Sequence, residues 1–301
     1  MPPNTTSAPE TSPRATGFKP STPSSPTPMM DSQRRGAASC RARGSASVMR
    51  TLILGGTWEA RQLAQRLGGR RDLAVTLSLA GRTAAPAAFS VPVRIGGFGG
   101  AEGLARYVLA EGVDALIDAT HPYAAVISAN SACAAQTTGV RFLALRRPPW
   151  LPIAGDRWIE VDGALAAVDA LGETPRRVFL ALGRKELAPF TAAPQHYYLV
   201  RSVDPVDPPL NLPRVDYIVG RGPYREADER ALLSARLIEL IVAKNSGSTA
   251  TYGKIEAARA LGLPVLMLRR PILPAVPSVE TVEAVVAWLD HADLACAARG
   301  V

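Results

Sequence analysis

The chain has 301 residues, of which 47% are hydrophobic and 20% charged, and a formal charge of +8. That apolar content excludes disorder throughout, and the length suggests about two domains. Three scattered cysteines with no CxxC pair exclude a disulfide scaffold, a zinc ribbon or an iron–sulfur site and fit a reducing cytoplasm, and no apolar run reaches the ~18 residues of a membrane span.

Residues 1–48 hold eight prolines, many Ser and Thr, and no hydrophobic periodicity. Such a segment cannot bury enough apolar surface to offset its ordering entropy, so it is expected to be disordered. It lacks the apolar core of a secretory signal and reads as a dispensable extension, with the working chain starting at Met49. It carries six Lys or Arg against two acids, half of the net charge. The +8 is compatible with a nucleic-acid partner, an acidic small molecule, or a basic tail.

From residue 50 onward, short apolar runs alternate with amphipathic stretches. Strands are predicted at 51–54, 73–79, 91–95, 115–119 and 141–145, and helices at 57–67, 101–111 and 122–138, the last with Pro122 in its first turn. The Pro-rich joint RRPPWLP at 146–152 marks a boundary. Beyond it, strands are predicted at 178–182, 197–200, 217–219, 240–243 and 265–268, and helices at 163–171, 225–233, 249–261 and 279–290. This alternation predicts βαβ units and mainly parallel sheets, in two α/β lobes spanning 49–150 and 151–301. Ligands then belong beyond the C-terminal ends of the strands.

Five strand ends carry candidate chemistry. Gly55, Gly56 and Thr57 join the first strand to its helix, where glycines let a phosphate approach and the helix start offers N–H groups; a tight capped turn is the plainer reading. After the second strand come Ser78, Gly81 and Arg82. There is no acid for an adenosine ribose, and an arginine suits a 2′-phosphate, unless Arg82 is simply solvated. The turn Thr120, His121, Pro122 and Tyr123 offers two proton-bearing side chains, or a capping His beside a half-buried Tyr. In the second lobe, Arg184 and Lys185, Arg201, and Arg221 each stand at a strand end. Together they suggest a pocket for a ligand with several anionic groups. Finally Lys244, Asn245, Ser246 and Gly247 lead from a strand into a helix and read as an anion cradle, though not a P-loop, or else as a simple capped helix. His196 and His291 read as structural or exposed.

The ordered set LILGGTWEARQLA, LIDATHPYA, FLALGRKEL, VRSVDP, VGRGPY and VAKNSGSTATYGKIEAARALGLPVLML resembles the precorrin-6A reductase family of cobalamin biosynthesis, over essentially residues 50–290. One departure is Ser248, where the family usually has a second glycine. The resemblance implies two Rossmann-like lobes with mainly parallel sheets and a ligand crevice between them. It implies a cytoplasmic enzyme that uses NADPH to reduce one double bond of precorrin-6A, a polycarboxylate tetrapyrrole, giving precorrin-6B. Neighbouring cobalamin-pathway enzymes are candidate partners; no metal, membrane or nucleic acid is required. The first-lobe turns at Gly55, Gly56, Thr57, Ser78, Gly81, Arg82, Thr120, His121 and Pro122 would hold NADPH. The second-lobe cations, with Lys244, Asn245, Ser246 and Gly247, would hold the macrocycle. His121, Tyr123 and Lys244 are candidate proton donors, with water as a fourth. The cobalt-containing analogue remains an alternative substrate. Another Rossmann-type NADP-dependent reductase of a polyanionic small molecule and a basic nucleic-acid-binding protein remain alternative functions.

Overall fold

The computed structural model describes residues 48–81 and 89–297, with side chains described up to residue 291. The expectations for residues 1–47 and for Arg82 fall outside this range.

Apolar runs and amphipathic stretches alternate as the sequence predicts. In order they are β1 (Met49–Leu54), α1 (Trp58–Leu67), β2 (Leu73–Leu79), β3 (Val93–Ile95), α2 (Gly100–Ala110), β4 (Ala115–Asp118), α3 (Ala125–Thr138) and β5 (Arg141–Leu145). There follow β6 (Trp158–Val161), α4 (Ala164–Leu171), β7 (Arg177–Ala181), β8 (Tyr197–Ser202), β9 (Val215–Val219), α5 (Glu226–Ala235), β10 (Leu240–Lys244), α6 (Gly253–Ala260), β11 (Val265–Leu268), β12 (Ser278–Val279) and α7 (Val282–Ala297). Among the described residues no helix is long and apolar enough to cross a membrane.

The strands form two six-stranded, wholly parallel sheets, ordered β3-β2-β1-β4-β5-β12 and β9-β8-β7-β10-β11-β6. Parallel strands buried on both faces read as continuous apolar runs. Accordingly each sheet is sandwiched between two apolar clusters, with Ile53, Leu63 and Ile117 on one face of the first sheet and Leu52, Leu104 and Leu116 on the other. The second sheet repeats this with Leu180 and Val242 on one face and Phe179 and Ile241 on the other. Helix α1 shows the logic locally: Ala60, Leu63, Ala64 and Leu67 are buried, the i, i+3, i+4, i+7 spacing of one helix face.

The first sheet follows the 3-2-1-4-5-6 order of doubly wound folds, its sixth strand arriving after the whole second lobe; the second sheet repeats the 3-2-1-4-5 part, with β6, its first strand in the chain, in the sixth place. The chain leaves β5 of the first sheet and places β6 at the edge of the second, against β11. It leaves β11 and returns to place β12 beside β5. Helix α7 follows β12 and packs Val282, Val285 and Leu289 into the first core. The expected division into 49–150 and 151–301 is therefore corrected: β12 joins the first sheet and α7 packs on its core, so the segment from Ser278 onward goes with the first lobe. Two helix predictions also change. Helix α3 begins at Ala125, so Pro122 lies in the preceding turn rather than in the helix, and the stretch from 249 divides into a 3-10 turn at Thr249–Thr251 and α6.

Candidate active site

The order of each sheet creates one switch point, where successive connections leave in opposite directions and a crevice opens. In the first sheet this lies between the ends of β1 and β4, at Gly55, Gly56 and Thr57 and at Thr120 to Tyr123. In the second it lies between β7 and β10, at Arg184 and Lys185 and at Lys244 to Gly247. Four sequence-predicted turns thus occupy the two switch points.

At the first, Thr57 caps α1 by accepting from the Ala60 N–H at 3.0 Å and donates to the Ala119 carbonyl at 2.9 Å. Its hydroxyl is consumed in tying the two turns together, so what it offers a ligand is backbone N–H, as at any helix start. Gly56 has φ of +115° and no atom within 4 Å of the place a Cβ would take, leaving the backbone open to close approach. Asp118 is buried and shapes the next turn, accepting from the Thr120 N–H at 3.1 Å, the Thr120 hydroxyl at 2.6 Å and the Ser128 hydroxyl at 2.6 Å.

His121 accepts from the Tyr123 N–H through Nδ1 at 3.3 Å, which leaves its ring proton on Nε2. Burial, reinforced by Arg147, Lys244, Arg270 and Lys254, pushes its pKa down to about 3. It is a neutral imidazole near neutral pH, not an imidazolium acid. Tyr123 donates its hydroxyl proton to the Leu268 carbonyl and accepts from the Asn245 N–H at 2.9 Å; burial pushes it up to about 12. The hydroxyl is a bridge between lobes, and its proton is committed there rather than available to a substrate.

Lys244 pairs with Glu186 across the second switch point at 2.5 Å, and its Nζ lies 5.1 Å from the centre of the Tyr123 ring. Asn245 is clamped by Trp150 through both its amide groups, each at 2.8 Å. Ser246 hydrogen bonds to Thr251, and Gly247, at φ of +70°, lets the loop pass beside the Pro148 carbonyl. Of the other cations, Arg184 and Lys185 are exposed, and Arg221 contacts Asp204 at 3.3 Å. Arg201 is different. It is 8% exposed, paired with the 3%-exposed Glu229, and sits 3.9 Å from the Tyr224 ring centre, so it is an interior residue and not a crevice cation. Ser78 is likewise buried, its hydroxyl facing Arg94 at 3.4 Å. Gly81, at φ of +71°, is exposed at the end of β2.

The sequence reading missed several contributors. Arg147 and Arg270, from the two crossover segments, converge on the loop after β10: Arg147 donates to the Ser246 carbonyl, and Arg270 to those of Asn245, Arg147 and Pro148. Lys254 is buried, donates to the Thr251 carbonyl at 2.6 Å, and is pushed down to about 7 by burial. The run Gly96-Gly97-Phe98-Gly99-Gly100 closes β3 with three left-handed glycines, and Arg94 braces it through the Gly96 and Gly97 carbonyls with its guanidinium 3.8 Å over the Phe98 ring. A GGFGG run after a strand was the visible signal. A further cleft of about 560 Å³ opens along the seam, lined by Glu59, Arg147, Gly247 and Thr281 but by neither His121 nor Lys244; it flanks the switch points.

Two doubly wound sheets meeting at their switch points, glycine turns on one side and cations on the other, define a two-lobed Rossmann-like enzyme. The family model described as Precorrin-6x reductase CbiJ/CobK matches residues 50–290, and the chain belongs to that family. It is 60% identical to a Precorrin-6A reductase of Sinorhizobium sp over 73% of this chain and 85% of the relative. It is 49% identical to the Precorrin-6A reductase of Rhodobacter capsulatus, over 84% of this chain and the whole of that one. A solved CobK precorrin-6A reductase superposes with a TM-score of 0.77 at 48% identity, covering 81% of this chain and 96% of that one.

Proposed function

We propose that the chain reduces precorrin-6A to precorrin-6B with NADPH as a step of cobalamin biosynthesis. The observation that carries the reading is the meeting of the two switch points through Tyr123 and Asn245, an open glycine turn on one side and, on the other, the loop after Lys244 held by Arg147 and Arg270. The relatives at 49% and 60% identity carry the metal-free substrate's name, which favours precorrin-6A over its cobalt analogue.

The first lobe fits a dinucleotide. The backbone at Gly55 and Gly56 and the N–H groups opening α1 suit a diphosphate, and the adjacent Gly81 and Gly96 to Gly100 turns leave room for its adenosine half. No acid follows β2, and Arg82 is the proposed partner of the 2′-phosphate. When bound, NADPH supplies the hydride. The chain's task is to hold donor and acceptor carbons about 3–3.5 Å apart in a dry crevice. Arg184, Lys185 and Lys244 would receive the macrocycle's carboxylates, and the positive field around His121 favours electron gain at the ring. With His121 neutral and the Tyr123 proton committed, Lys244, held by Glu186, is the proposed proton source.

Anaerobic incubation with precorrin-6A and NADPH should consume NADPH absorbance and add two hydrogens to the macrocycle; absence of turnover would refute the assignment. Running the cobalt complex in parallel separates the two substrates. Arg82→Ala removes a charge-assisted contact of about 1.5–3 kcal/mol, so KM for NADPH should rise by roughly ten- to a hundredfold and KM for NADH hardly at all. An equal effect on both cofactors excludes the 2′-phosphate role.

A further inference from the structure

Glu59 lies in the first turn of α1, two residues beyond the cap Thr57, and belongs to no predicted site. Its side chain reaches into the other lobe. One carboxylate oxygen pairs with Arg147, the two side chains being 15% and 9% exposed. The other accepts from the Ser248 hydroxyl at 3.1 Å. Arg147 in turn donates through Nε to the Ser246 carbonyl at 3.1 Å, and Ser246 and Ser248 are themselves buried. The glycine turn of one lobe is thus connected to the anion cradle of the other through a single residue and a largely desolvated ion pair. Such a pair holds its geometry tightly, because breaking it would leave a charge unpaired in a poorly solvated place.

We propose that Glu59 is a positioning residue that couples the two ligand sites: occupancy of the helix start by the dinucleotide fixes Glu59, and Glu59 fixes the loop Lys244 to Ser248 for the second substrate. The proposal rests on the dinucleotide reading of the first lobe. It differs from a purely architectural ion pair in one respect. It requires a signal to pass from the first site to the second, which is a coupling between two sites through a defined chain of contacts. The Tyr123 bridge to Asn245 and Leu268 joins the lobes from the β4 side and persists when Glu59 is altered, so the lobes stay together.

Amide hydrogen exchange on the full chain, with NADPH alone as the probe, tests it. In the unaltered protein NADPH should slow exchange both at 55–60 and at 245–252. In Glu59→Gln, which keeps the shape and loses the charge, slowing at 55–60 should persist and the remote slowing at 245–252 should be lost. Ser248→Ala, which leaves the ion pair in place, should reduce the remote slowing without abolishing it, and it serves if Glu59→Gln does not fold. Remote slowing that survives unchanged in the variants overturns the proposal. So does slowing confined to 55–60 in the unaltered protein, which leaves the dinucleotide reading intact. Absence of slowing at 55–60 removes that reading and the proposal with it.

Discussion

Arg201 closes β8 one residue before its end, a position from which a side chain could have entered the crevice. Its guanidinium instead makes a two-pronged pair with Glu229 of α5 beneath the Tyr224 ring. Removing one partner of a buried pair strands the other charge and costs about 3–5 kcal/mol. Arg201→Ala should therefore lower the denaturation midpoint sharply, while the folded fraction keeps its KM values. A raised substrate KM at unchanged stability would return Arg201 to the crevice. His121 carries a prediction of a different kind. Its native pKa of about 3 lies below the ordinary 6.5, so between those values the unfolded chain binds a proton that the native one does not. Stability is therefore lost as pH falls below 6.5, at about 1.4 kcal/mol per pH unit. His121→Asn removes this slope, and urea unfolding at pH 7 and pH 5 should show an acid loss smaller by about 2 kcal/mol. An identical acid loss in both proteins would mean that the imidazole is not held neutral by burial.

At the scale of elements, what could be read from the chain depended on how much of each element is buried. Strands β2, β5 and β11, packed between helices, have the bounds their apolar runs predict, and the turns at both switch points follow from the βα alternation. Strands β6 and β12 escaped notice. The first exposes Ile159 and Glu160 at a sheet edge, which breaks any apolar run, and the second has only two residues. Helix α3 was overextended because Pro at the start of a helix is as acceptable as Pro in the turn before it. Within the site, residue types marked the strand ends, but partners decided their roles. Nothing in YLVRS distinguishes an arginine that meets Glu229 from one that meets a ligand. Glu59 and Arg147 lie 88 positions apart, and it is the strand order β1-β4-β5 of the first sheet that brings their neighbourhoods together. The GGFGG run follows the predicted strand at 91–95, and its glycines were the legible sign of a turn there.

Strand β12 governs the whole molecule. Because it returns from beyond β11 to the first sheet, that sheet is not complete on a contiguous piece of chain, whereas the second runs from β6 to β11 without interruption. Helix α7 buries Val282, Val285 and Leu289 against Leu63, Leu143 and Leu145. At about 1.5–3 kcal/mol for each buried side chain, those three contribute roughly 5–9 kcal/mol. That is comparable with the roughly 5–15 kcal/mol of net stability of a whole domain. A fragment of residues 49–150 ends before β12 and α7, exposes the face they cover, and should show no cooperative unfolding transition by circular dichroism in denaturant. The chain from 49 to 301 should show one, and because the first lobe is completed only by the segment that returns from the second, the two lobes should lose structure together rather than in separate steps. A cooperative transition in the 49–150 fragment, or two well-separated transitions in the longer chain, would mean that β12 and α7 decorate a lobe already stable by itself. Contacts such as Glu59 with Ser248 would then join two independent bodies, and the geometry of the crevice would depend on those contacts alone.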